Sequence, residues 1–135
     1  MDNVDYDSMS ILARSVVARR EKRVRYEMYR IRYATWLLTG ATWSDMVSRC
    51  RQSDVVEARM YFIVACRHIA MRPMSFPDIA RELAREYHSG PVAAYERAQK
   101  RGIVDRIVDE YHMMMICIKA MAEGRQISAI RKAIA

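Results

Sequence analysis

Residues 87–97 of this 135-residue chain combine Tyr87, His88 and Ser89, which carry hydrogen-bonding groups, with Gly90, Pro91 and a cation two turns later, Arg97. Gly90-Pro91 opens a helix, because proline is pre-set for the first turn and its missing N–H is not needed there. Such a helix start, built from small and hydroxylated residues with Ala93 and Ala94 behind them, lets the backbone approach a partner closely, and its amides favour an anion. A second suggestive group is Ser48-Arg49-Cys50-Arg51, which puts two guanidiniums in a polar stretch. Both groups suit recognition of a polyanion. Neither suits bond-making chemistry. No His, Cys and acid fall at a spacing expected for a metal or an activated nucleophile, and no G-x-x-x-x-G-K-[S/T] phosphate loop occurs. The expectation is a non-enzyme without metal or cofactor.

The charge balance agrees. The chain carries 23 Lys+Arg against 16 Asp+Glu, a formal net charge of +7. Residues 13–32 concentrate it, with Arg14, Arg19, Arg20, Lys22, Arg23, Arg25, Arg30 and Arg32 against only Glu21 and Glu27. This run, with Arg19, Arg20 and Arg23 at its centre, either touches the phosphates of a nucleic acid or forms the solvated face of a long helix. The three cysteines, Cys50, Cys66 and Cys117, are odd in number and lack C-x-x-C spacing, so they suggest neither a disulfide framework nor a zinc module. The start Met1-Asp2-Asn3-Val4-Asp5 is acidic, and the longest strongly apolar run, Met113 to Ile118, is far shorter than a membrane span. A cytoplasmic, nucleoid-associated protein with no membrane partner is expected.

With four glycines, three prolines and no alternating β-branched runs, the fold expected is all-α, one domain over 1–135. A basic helix spans 8–38, capped by Asp7 or Ser8 and stopped by Thr39-Gly40, with Val17, Val24, Met28, Ile31, Thr35 and Leu38 as its apolar stripe. Thr42 or Ser44 caps a short helix from Trp43 to Ser48, and a polar loop runs from Arg49 to Asp54. A helix from Val55 to Met71 is apolar nearly all round, through Val56, Met60, Ile63, Val64 and Ile69, and so is central. Ser75, Pro77 and Asp78 start a helix that reaches Arg85, and the helix beginning at Gly90 runs to Lys100. From 103 to 135 come a strongly amphipathic helix (Ile103, Ile107, Tyr111, Met114 and Ile118, with Val104, Val108 and Met115 beside them) and a short piece from Gln126 to Ile134.

Two short helices joined by the turn Glu86-Tyr87-His88-Ser89 have the form of a helix-turn-helix, whose second helix enters the major groove by its first turn. The stretch Met74-Ser75-Phe76-Pro77-Asp78-Ile79-Ala80, then Leu83, Tyr87-His88-Ser89, Ala94 and Arg97, resembles the C-terminal DNA-binding domain (domain IV) of the bacterial replication initiator DnaA. The resemblance covers Trp36 to Lys100 and includes the basic loop at Ser48-Arg49-Cys50-Arg51. It implies that Arg49 and Arg51 reach the minor groove or its phosphates. It further implies that His88 and Ser89 contact base edges or phosphates, and that Arg67 and Arg97 contact phosphates. Tyr87 stands where the family has an acid, and Gly90-Pro91 stand where it has Thr-Val, so the family's target sequence does not transfer.

What the resemblance leaves out is the ATPase. A stand-alone reader of this kind is similar to phage-like regulators and to the activators of gene transfer agents. The expected function is therefore a sequence-specific double-stranded DNA-binding regulator, with a replication or architectural factor as the alternative. RNA polymerase or another transcription protein is an expected partner. His68 is expected to pack on the core helix and His112 at the edge of the last long one. Met113-Met114-Met115 and the helices of 103–135 serve either a homodimer or partner interface, or packing against the first helix.

Overall fold

The computed structural model describes residues 10–123, apart from the side chains of Val17, Arg20, Glu21, Arg23, Val24 and Tyr26. The described residues form six helices and no strand: α1 (Ile11–Thr39), α2 (Trp43–Val47), α3 (Ser53–His68), α4 (Phe76–Glu82), α5 (Ser89–Lys100) and α6 (Val104–Ala122). The expected all-α architecture is what forms.

Several boundaries have a local cause. Ser10 caps α1 by accepting from the Ala13 amide at 3.2 Å. At the other end Gly40 adopts φ 76°, a left-handed conformation that costs glycine little, and donates to the Trp36 carbonyl at 2.8 Å. Thr42 caps α2 and Ser75 caps α4. The expected caps Asp7 and Ser8, the stripe side chains Val17 and Val24, and the piece from Gln126 to Ile134 lie outside what is described.

Five helices differ at their boundaries from the sequence expectation: α1 begins at Ile11 behind Ser10 and ends at Thr39 rather than spanning 8–38, α2 ends at Val47 rather than Ser48, and α3, α4 and α5 differ as follows. Helix α3 starts two residues earlier, at Ser53, where Asp54 accepts from the Val55 amide at 2.9 Å. It ends at His68 rather than Met71, because Pro73 disfavours helical backbone at Arg72 and the Met74 amide returns to the Cys66 carbonyl. Helix α4 stops at Glu82, since Ala84 turns to φ 55° and the Arg85 amide bonds back to Ala80. Helix α5 starts one residue earlier than expected, at Ser89, with His88 as its N-cap residue.

The core forms around α3, which touches α1, α2, α5 and α6. Its Val55, Ala58, Met60, Phe62, Ile63, Val64, Ala65 and Cys66 are buried, while Val56 and Ile69 are only half-buried. Met28, Ile31, Ala34 and Thr35 supply the inner face of α1, and Ile107 and Tyr111 that of α6. Met114, Met115 and Ile118 pack against this cluster from its edge. Thus α6 lays its apolar stripe against α1 and α3. Of the two roles open for it, folding back is the one observed, and the stripe itself is not free for a homodimer. His68 also departs from expectation: it is exposed, stacked on Tyr95 with ring centroids 5.8 Å apart.

One polar pair ties α1 to α6 inside this core. Thr35 Oγ1 donates to the Ile31 carbonyl at 2.8 Å and lies 2.6 Å from the Tyr111 hydroxyl. Thr35 has one proton, already committed, so Tyr111 donates to Thr35. Burial raises the Tyr111 pKa and keeps the phenol neutral. Arg30 Nη2 reaches the Met115 carbonyl at 3.4 Å, so α1 and α6 run antiparallel. Tyr111→Phe keeps the ring and removes one hydrogen bond, for an expected loss of about 1 kcal/mol. Tyr111→Ala leaves a cavity and is expected to cost about 3–5 kcal/mol. Urea unfolding midpoints of the two variants check both values.

Candidate nucleic-acid interface

The loop between α2 and α3 holds Arg49 and Arg51, both beyond the core, and its shape is imposed from behind by two other arginines. Arg59, on α3, donates from Nε to the Met46 carbonyl at 2.9 Å and from Nη1 to the Cys50 carbonyl at 2.6 Å. Its Nη2 reaches the carbonyls of Ser48 at 2.8 Å and Asp45 at 3.1 Å. Arg85, in the turn after α4, donates from Nη2 to the same Ser48 carbonyl at 2.7 Å and from Nη1 to Val47 at 3.3 Å. Between them they occupy the carbonyls of residues 45–48 and 50. A planar guanidinium with five fixed donors suits this work, which a lysine's single ammonium cannot do.

This arrangement has a geometric consequence. Arg85 lies three residues before His88, so its bonds to Val47 and Ser48 hold the basic loop against the turn that leads into α5. The sharp reversal at Ala84 delivers Arg85 to that position. The end of α2 is thereby tied to the turn that precedes α5, although 37 and 38 residues separate the bonded groups. Burial, and then the charge of Arg85, lower the Arg59 pKa from its ordinary value, but an arginine remains a cation throughout the physiological range. Two like charges held against one loop, beside Arg49 and Arg51, make this surface favourable for an anion.

Helix α5 presents a face made for close approach. Ser89, Gly90, Ala93, Arg97 and Lys100 are exposed, while Pro91, Ala94 and Ala98 face the core. Among the described residues no side chain caps its N-terminus, which suits its first-turn amides to an outside acceptor. A Cβ at Gly90 would meet nothing among the described residues within 4 Å, and its φ is not in the left-handed region. The fold therefore does not require glycine there. Tyr87, at 71% exposure, and His88 stand at the same end.

The remaining expected site residues divide. Arg67 is turned inward: its Nη1 donates to the Met74 carbonyl at 2.9 Å, and its guanidinium lies 4.5 Å from the Phe76 ring centroid and 5.9 Å from that of Tyr95. This geometry makes Arg67 a brace between α3, α4 and α5. Arg32 behaves likewise, bonding Glu82 at 2.6 Å and lying 4.0 Å over Trp43, so the basic run of α1 is not uniformly a solvated face. Arg19 is exposed on a stretch of α1, Ser10 to Arg25, in which none of the described residues is buried. None of the hydrogen bonds that build the loop and the turn involves it. The side chains of Arg20 and Arg23 lie outside those described.

Arg59 and Arg85 are invisible to motif and composition alike. Arg59 left a trace: it sits four residues after Val55 and four before Ile63, on a buried side of α3 where a cation needs several acceptors. Arg85 left none, because its place depends on the left-handed Ala84. Arg59→Ala is expected to destabilise the protein by about 2–3 kcal/mol through its charged hydrogen bonds. The same change should speed amide hydrogen exchange in residues 46–51, and Arg59→Lys should recover little of either effect. Urea unfolding and exchange measured by mass spectrometry check this.

Comparison with protein-family models, with curated proteins and with solved structures finds no match to the chain.

Proposed function

We propose that the protein binds double-stranded DNA sequence-specifically, placing the start of α5 in the major groove and the Arg49/Arg51 loop on the adjacent minor groove or its phosphates. One observation carries this reading: the Arg59 and Arg85 bonds hold a basic loop to the turn that leads into an uncapped helix start lined by His88, Ser89 and Gly90. A recognition helix needs small residues at its entry and phosphate contacts flanking it to fix register. Arg97 and Lys100 extend the cationic surface along the same helix. The chain then works as a transcription regulator. The similarity of a stand-alone reader to phage-like regulators and to the activators of gene transfer agents directs that regulation to such genes, with RNA polymerase or another transcription protein as a further partner.

Base readers and phosphate contacts respond differently to substitution. His88→Ala is expected to reduce the preference for a selected target over random duplex by about 1–3 kcal/mol, with little change in non-specific binding. Arg51→Ala should weaken both and lower the slope of log K against log salt by about 0.9 for each phosphate that the side chain neutralises. Gly90→Ala is accepted by the fold, so it should leave the unfolding midpoint unchanged or higher while weakening duplex binding. Fluorescence anisotropy over a salt series, on a duplex selected from a random pool, reads all three. Selection that yields no preferred duplex, or a Gly90→Ala variant that folds and binds like the parent, contradicts the proposal.

A further inference from the structure

The outer face of α1 carries a pattern that neither the core nor the proposed DNA surface uses. Met28, Ile31, Ala34 and Thr35 point inward. Helical periodicity puts Lys22, Arg25, Tyr29, Tyr33, Trp36 and Leu37 on the opposite side, and all six are exposed. Tyr29 is 64% exposed and Trp36 48%. The stripe spans about 22 Å of helix. Its first third is cationic and the rest is aromatic and aliphatic, with the Tyr33 and Trp36 rings paired at 5.8 Å between centroids. Large apolar side chains lined up on the solvent side of a helix mark an interaction surface rather than chance exposure.

The order of the residues within the stripe points to the partner. Arg25 and Tyr33 lie four residues either side of Tyr29, and Lys22 and Trp36 lie seven either side. When two copies of α1 pack antiparallel about a two-fold axis at Tyr29, each Arg25 faces the other copy's Tyr33 and each Lys22 faces its Trp36. The face is then complementary to itself, as an isologous contact requires, and each cation meets the ring face that attracts it. A parallel pairing sets like charge on like charge instead.

We infer that the protein associates as a two-fold dimer through this outer face of α1, with Tyr29 at the axis and cation to aromatic contacts on either side. Six rings and four long cationic stems cover on the order of 1,000 Å² in total, at the lower end of specific interfaces, so the dimer is weak and concentration-dependent. This association does not rest on the DNA-binding reading, and it is measured without DNA.

The test is sedimentation equilibrium of the full-length chain over micromolar to submillimolar concentrations. The parent should fit a monomer–dimer equilibrium. Arg25→Tyr alone and Tyr33→Arg alone should each weaken dimerisation tenfold or more, since one removes the cation from the ring face and the other sets cation against cation. The double variant, which exchanges the two residues, should restore it. Both substituted positions are on the exposed face, and circular dichroism checks that the variants stay folded. A parent that is monomeric throughout overturns the inference. So does a dimer indifferent to the single substitutions, or a double variant no better than either single one. Stripe substitutions that weaken binding to an oligonucleotide while leaving the association state unchanged overturn it as well, and assign the aromatic face to nucleic acid.

Discussion

The Arg59 guanidinium, set among the carbonyls of Asp45, Met46, Ser48 and Cys50, is the contact on which the proposed site depends. A loop of polar residues between two helices has no regular backbone pairing of its own and would sample many conformations. Arg59 removes that freedom from the side of the core, and Arg85 removes it from the side of the α4–α5 turn. Both cations bind backbone carbonyls here rather than carboxylates. Their charges therefore remain as part of the local field, while their donors set the geometry that displays Arg49 and Arg51. Structure and electrostatics come from the same two side chains.

Behind this clamp stands a frame of simpler parts. Helix α3 is buried on most sides and fixes the direction of Arg59. The antiparallel pair α1 and α6, joined by Thr35 and Tyr111, covers one side of α3. Arg67 on Phe76 and Tyr95 braces the α3–α4 turn, and Arg32 joins α1 to α2 and α4 through Trp43 and Glu82. Arg32, Arg59 and Arg67, all counted in the positive total, are thus internal ties. The charge left facing outward is more local than the total of +7 suggests.

Most of the helical frame was legible in the sequence because it depends on short-range signals. Gly40, Thr42 and Ser75 act where they stand, and the stripe Ile107, Tyr111, Met114 and Ile118 repeats at helical spacing. The ends of α3 and α4 were misplaced because long-range contacts decide them: Met74 returns to Cys66, and Arg85 leaves its helix for Ser48. The candidate site was legible in its outward members and not in its supports. His88, Ser89, Gly90, Arg49 and Arg51 announce themselves by type and spacing. Arg59 and Arg85 act on backbone distant in the chain, and no local pattern encodes their targets. The aromatic face of α1 was hidden for another reason: its neighbouring arginines drew the reading toward charge alone.

The central claim is that loop and helix start form one surface that meets duplex DNA. The most direct measurement is a titration of the isotope-labelled protein with a selected duplex, followed by backbone amide NMR shifts. The account predicts that the largest changes fall together in residues 48–51 and 87–97, with α6 nearly unchanged. Shifts concentrated on α1 or α6, with the basic loop and the start of α5 unmoved, would contradict it.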